Sequence, residues 1–264
     1  MEHVATGLAF AVFLWWIGTG GILVAAGLSR SALWLAQLVS LPLLAIALGA
    51  FDWAAGQPGM EGVYVGFAAA IAIWGWHEFA FLTGLITGPR RAPCPPGASE
   101  WRRFACAVAA LAWHELALAA TAILMIALAW LEPSQFGVWT FLLLLFARVS
   151  AKLNVFLGVP NLTEEFLPEP IQHLKSYFRR RPMNLFFPVS ITLLMLTVGC
   201  FAERAWEAET AADLAGFTLL TTLATLALIE HWLLVLPLRD AALWQWMLPA
   251  GDARRKSLVS TDRA

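Results

Sequence analysis

Seven apolar runs, each long enough to cross a bilayer, leave this chain few folds to choose from. A spanning helix needs about 20 apolar residues. Runs near 4–28, 33–51, 62–87, 103–131, 136–158, 183–202 and 214–237 meet that length. Only 13% of the 264 residues are charged and the mean hydropathy is +0.70, against about 25% charged residues in a soluble domain. The expected fold is therefore all-α, a polytopic membrane helix bundle of about seven transmembrane helices. The second run is the weakest, with Pro42 at its middle, although neighbouring helices can satisfy the freed carbonyl. The first run has no basic residue before it and no small-residue cleavage site after it, and reads as a retained helix.

The charges between runs set an orientation. Sixteen of the 17 basic residues fall on one side; Arg204 is the exception. The positive-inside rule then puts the amino terminus in the periplasm and the carboxyl terminus in the cytoplasm, as an odd number of spans requires. Residues 1–250 read as one transmembrane domain and 251–264 as a flexible cytoplasmic tail. The largest cytoplasmic piece, 159–182, predicts a short interfacial helix from Glu169. Ile171, Leu174, Tyr177 and Phe178 share its apolar face, and Lys175, Arg179, Arg180 and Arg181 are placed for anionic lipid. Asn161 or Thr163 can cap the stretch before it, with Glu164 and Glu165 in the first turn.

Polar residues inside the runs are the candidate site, because ionisable groups at membrane depth are costly and mark function or pairing. Trp76-His77-Glu78 recurs as Trp113-His114-Glu115 and, reversed, as Glu230-His231-Trp232. A rise of ~1.5 Å per residue puts His77, His114 and Arg148 roughly 15 to 16 Å from the cytoplasmic end, and Lys152, Glu230 and His231 roughly 9 to 12 Å. The third, fourth, fifth and seventh helices can then close one polar pocket. A short basic loop would join the third and fourth as antiparallel neighbours, and Lys152 and Asn154 would line the pocket's mouth. Three readings stay open. The His/Glu pairs and Arg148 can be an ion-pair cluster that glues the bundle. His77, His114 and His231, with Glu78, Glu115 and Glu230, can hold a tetrapyrrole, or a transition metal. No Glu-x-x-His pair or H-E-x-x-H motif is present. Cys94, Cys106 and Cys200 have neither disulfide nor zinc spacing.

Several blocks resemble the PuhE family of photosynthetic complex assembly proteins. They are Trp74-Gly75-Trp76-His77-Glu78, Thr87-Gly88-Pro89-Arg90-Arg91, Trp101-Arg102-Arg103-Phe104, His114-Glu115-Leu116, Ser150-Ala151-Lys152-Leu153-Asn154, Phe156-Leu157-Gly158-Val159 and Arg181-Pro182-Met183-Asn184. The similarity runs from Trp15 to about Pro188. It implies a protein of the bacterial inner, intracytoplasmic membrane that assists assembly of the reaction centre and core antenna. The implied partners are their subunits and other assembly factors, and a bacteriochlorophyll or precursor is the implied pigment. It carries no catalytic residue over to this chain. The alternative from another class is a membrane metal-dependent oxidoreductase of pigment biosynthesis using the same His/Glu residues. A transporter would call for inverted repeats, whereas the Trp-His-Glu triplets recur in adjacent helices only.

The charge asymmetry generates the first prediction. A reporter active only in the cytoplasm, fused after Ala264, should give signal. A periplasmic reporter active at that position would overturn the orientation.

Overall fold

The computed structural model describes residues 2–162 and 167–237. Among them the secondary structure is all helical: α1 Glu2–Ala26, α2 Arg30–Ala55, α3 Met60–Leu82, α4 Glu100–Leu128, α5 Phe136–Leu157, α6 Phe186–Trp206 and α7 Ala211–Leu233, with one 3-10 helix at Glu169–Tyr177. The seven long helices are apolar and long enough to span a bilayer, which makes this a multi-pass membrane protein. Local chemistry marks several ends. Ser99 Oγ accepts from the N–H of Arg102, and Thr210 Oγ1 from that of Asp213, each meeting an orphan donor of a first helical turn. Gly158, at φ 123°, ends α5 in a backbone conformation that L side chains rarely adopt. α2 runs unbroken through Pro42.

α3 lies at the centre and touches α1, α2, α4, α5 and α7. One apolar cluster joins α2, α3, α4 and α5 through Phe51, Ile73, Leu118, Met125 and Phe141. Another joins α1, α3, α5 and α7 through Ala11, Val63, Phe67, Leu143, Leu219 and Leu223. Gly66 and Gly137 let α3 and α5 meet backbone to backbone: a Cβ on Gly137 would lie 2.9 Å from the Gly66 carbonyl. Small residues at crossing points are how helices pack in lipid, where apolar burial alone gives little drive. α2 turns Trp34, Leu38 and Ile46 outward at about two-thirds exposure, as a lipid-facing helix should.

Two expectations are corrected. The third run does not continue as helix to 87. Thr83 Oγ1 bonds the Phe79 carbonyl at 2.8 Å, and Gly84 turns away at φ 76°. Ile86, half-buried, follows the connection back toward the bundle, whereas Leu85 is exposed; neither is helical. The α3–α4 connection is therefore no short basic loop. Its first part lies along α4, where Thr87 is 2% exposed and its carbonyl accepts from the backbone N–H of His114 at 2.9 Å. The N–H of Arg90 donates to the Ala109 carbonyl. His114 is 14 residues into α4, roughly 21 Å along it. Irregular backbone survives at such depth only when buried in protein.

The second correction concerns the segment expected to float in the interface. It forms a 3-10 helix whose apolar face packs on the bundle and not on lipid: Ile171, Leu174 and Tyr177 are buried against Phe81 and Ala110. Tyr177 Oη donates to the Ala92 carbonyl and accepts from Arg90 Nε; that hydrogen bond raises the Arg90 pKa above its ordinary value. On the same helix, burial first and then Arg91 hold His173 below the usual imidazole range. Arg103, 6% exposed, ties the pieces together by donating to the carbonyls of Phe156 and Tyr177. Arg179 pairs with Glu100. Asn161 caps the end of α7, donating to the carbonyls of Leu233 and Leu236. Thr163, Glu164, Glu165 and the tail 251–264 lie outside the described residues.

The close approach of the loop is testable at Gly88, where a Cβ would sit 2.2 Å from the Ala109 carbonyl oxygen. Gly88→Ala should lower stability by about 1–3 kcal/mol through overpacking. Gly21→Ala, with nothing within 4 Å of the new methyl, should not. Thermal unfolding in detergent, followed by circular dichroism, checks the pair.

Candidate functional site

Five polar residues from three helices meet at the level where the loop enters. Arg148 Nη2 donates to Glu78 Oε2 at 2.7 Å, joining α5 to α3. The other carboxylate oxygen of Glu78 lies 4.0 Å from Nε2 of His114 on α4. One turn along α5, Lys152 Nζ donates to Glu115 Oε1 at 2.6 Å. Four-residue spacing puts Arg148 and Lys152 on one face of α5; of the adjacent α4 residues, Glu115 pairs with Lys152 and His114 faces Glu78. Glu78 is 7% exposed and His114 is fully buried, with its ring against Phe81 at 4.5 Å between centroids.

The three histidines do not converge. His77 pairs through Nε2 with Thr121 Oγ1 on α4 at 2.9 Å. His231 Nδ1 donates to the Ala227 carbonyl at 2.8 Å, and its Nε2 accepts from Ser150 Oγ at 2.9 Å. Both nitrogens of His231 are thus occupied by protein groups, and its role here is to join α7 to α5. Among the described residues, no three His, Cys, Asp or Glu side chains form a group that could hold a metal ion. The ligand set expected from His77, Glu78, His114, Glu115, Glu230 and His231 is therefore not assembled. Successive helical residues point about 100° apart, so the His77/Glu78 and His114/Glu115 pairs are each split between two neighbours.

Asn154 is also elsewhere. It donates to Ser190 Oγ and to the Ser150 carbonyl, and accepts from Asn184, binding α5 to α6. Two residues from Lys152 on a helix is about 200°, the opposite face, so Asn154 does not line the pocket mouth.

What the polar layer borders is a cavity of about 500 Å³ between α1, α3, α4, α5 and α7. Its walls are largely apolar, with Trp15, Trp74, Phe81 and Phe156 among them, and its charged lining is Glu78, Arg148, Lys152 and Glu230. Size and lining fall in the range of small-molecule sites. None of the three histidines is among the lining residues; His114 sits behind Glu78 and Phe81. A ring system inside would meet aromatic walls and paired charges, not an imidazole ligand. Sequence reasoning missed Thr121 and Ser150, the hydroxyls that hold two of the histidines, and the part α1 plays in the wall. The only signal was that a buried imidazole needs a partner.

The pair itself predicts an asymmetry. Glu78 has 10% of its side chain exposed and Arg148 40%. Arg148→Met strands the buried carboxylate and should approach the ~3–5 kcal/mol of a broken buried pair. Glu78→Leu should cost less, since Arg148 can turn to the cavity. The double variant should recover toward wild type. Abundance in membranes and unfolding midpoint measure all three.

The sequence matches, over residues 1–255, the family described as protein of unknown function, DUF3623. A Rhodobacter capsulatus protein described as an uncharacterized 30.4 kDa protein in the puhA 5' region is 49% identical over 243 residues, covering 90% of this chain and 89% of the relative. No solved structure matches. A match that spans nearly the whole bundle, loop and polar layer included, places this chain in the DUF3623 family.

Proposed function

We propose that this protein is an integral membrane factor that assists assembly of the photosynthetic reaction centre and core antenna, and that its cavity transiently holds a bacteriochlorophyll or precursor. The observation that carries the reading is the aromatic-walled cavity of about 500 Å³ beside the Glu78–Arg148 pair. The position of the relative in the puhA 5' region and the PuhE resemblance support the photosynthetic role. In this reading the apolar ring lies against Trp15, Trp74 and Phe81, and its oxygen substituents meet Arg148 and Lys152. The partners are reaction-centre or antenna subunits, with the amino terminus periplasmic and the carboxyl terminus cytoplasmic. Lys175, Arg180 and Arg181 add anionic-lipid contact at about 1 kcal/mol per charge near the surface.

Isolation of the tagged protein in mild detergent from a phototrophic host should yield a tetrapyrrole absorbance near one per chain. Gly75→Leu, which thrusts a side chain from the cavity wall toward Ile22, should lower that ratio several-fold without loss of protein. A colourless preparation from cells making pigment, together with normal reaction-centre levels when the chain is deleted, would overturn the reading.

A further inference from the structure

The Glu78–Arg148 pair has a second side. Behind it lie buried polar atoms that no protein group among the described residues satisfies: Oε1 of Glu78, Nε of Arg148 and both ring nitrogens of His114. The hydroxyl of Thr87, whose carbonyl accepts from the backbone N–H of His114, is also buried without a partner. A buried polar group left unsatisfied is costly, so four around one ion pair need an explanation. Their chemistry is complementary to water. The carboxylate oxygen accepts, the guanidinium Nε–H donates, and a neutral imidazole does one of each.

Glu78 Oε1 and His114 Nε2 stand 4.0 Å apart. That exceeds a direct hydrogen bond, yet one water bonded to each at about 2.8 Å spans it at a bent angle. Sites with two to four convergent polar partners are where internal water is held. His231 gives the contrast within the same bundle. It is 1% exposed, but Ala227 and Ser150 satisfy both of its nitrogens. The hydroxyl nearest in kind on α4, Thr121, is already engaged by His77.

We propose that Glu78, His114 and Arg148 bind an internal water cluster behind the ion pair. This cluster makes Glu78 two-faced: one oxygen held by Arg148 at the cavity wall, the other joined through water to His114. It links the cavity wall to His114 by exchangeable protons and lets the pair shift when the cavity fills, because water can re-form bonds that fixed side chains cannot. The site needs no pigment and stands whatever occupies the cavity.

The test uses the full-length protein with ¹⁵N-labelled histidine in phosphatidylcholine–phosphatidylglycerol bilayers. Magnetisation transferred from water to each imidazole is followed by solid-state NMR, with His114 and His231 assigned by through-bond correlation in the wild-type protein. His114 should build up several-fold faster than His231, although it is no less buried. In Glu78→Leu/Arg148→Met, which leaves no stranded charge, His114 should slow to the rate of His231. Equal rates for the two histidines in the wild type would overturn the proposal, with no variant needed. A fast His114 that stays fast in the double variant would overturn it too, since its water would then come from elsewhere.

Discussion

An ion pair in an apolar bundle is the constraint around which this protein is arranged. A carboxylate taken from water into hydrocarbon cannot be left alone, and Glu78 sits on the most central helix. Its partner comes from α5, which fixes the rotation of α5 against α3 and puts Lys152 on the same side. Lys152 then needs its own carboxylate, and Glu115 on α4 supplies it. α4 is thus drawn to the bundle by charge as much as by packing. Buried pairs add little net stability compared with apolar residues of the same shape. Their value here is in register: they say which face of each helix points inward.

The space for the cavity follows from the same arrangement. Four helices that converge on charged side chains cannot close as tightly as those that converge on glycine and alanine. At one end of α3, Gly66 and Gly137 bring backbones into contact. At the other, Glu78, Arg148 and Lys152 hold the helices apart, and Trp15, Trp74 and Phe156 line the gap. The 3-10 helix and the connection from α3 to α4 close that end from outside, locked by Arg103 and Tyr177. The bundle is thus tight at one end and roomy at the other.

The three histidines show how one residue type divides its labour. His231 is a strut between α7 and α5, His77 is tied to α4 by a threonine, and of these three His114 is the one with neither ring nitrogen engaged among the described residues. Their shared neighbourhood in sequence, each beside a glutamate and a tryptophan, gave no hint of this difference. The tryptophans diverge as well: Trp76 donates to Ser40 on α2, while Trp232 packs on Phe187.

Read alone, the sequence determined the number of spans, the helical class and which helices carry the polar layer. Hydrophobic run length and the cost of bare charge in lipid act locally, residue by residue, and so can be counted along the chain. The end of α5 at Gly158 was legible for the same reason. The tertiary structure alone decided which way each side chain turns. A 100° step between neighbours sends His77 and Glu78 to different partners, and 200° sends Lys152 and Asn154 to opposite faces. It also decided that the apolar residues after Leu82 belong to a loop folded back against α4, and that the apolar face of Glu169–Tyr177 meets protein. Apolar character records only that a residue leaves water. Whether helix, loop or lipid receives it depends on neighbours distant in the chain, and these are set only when the bundle closes.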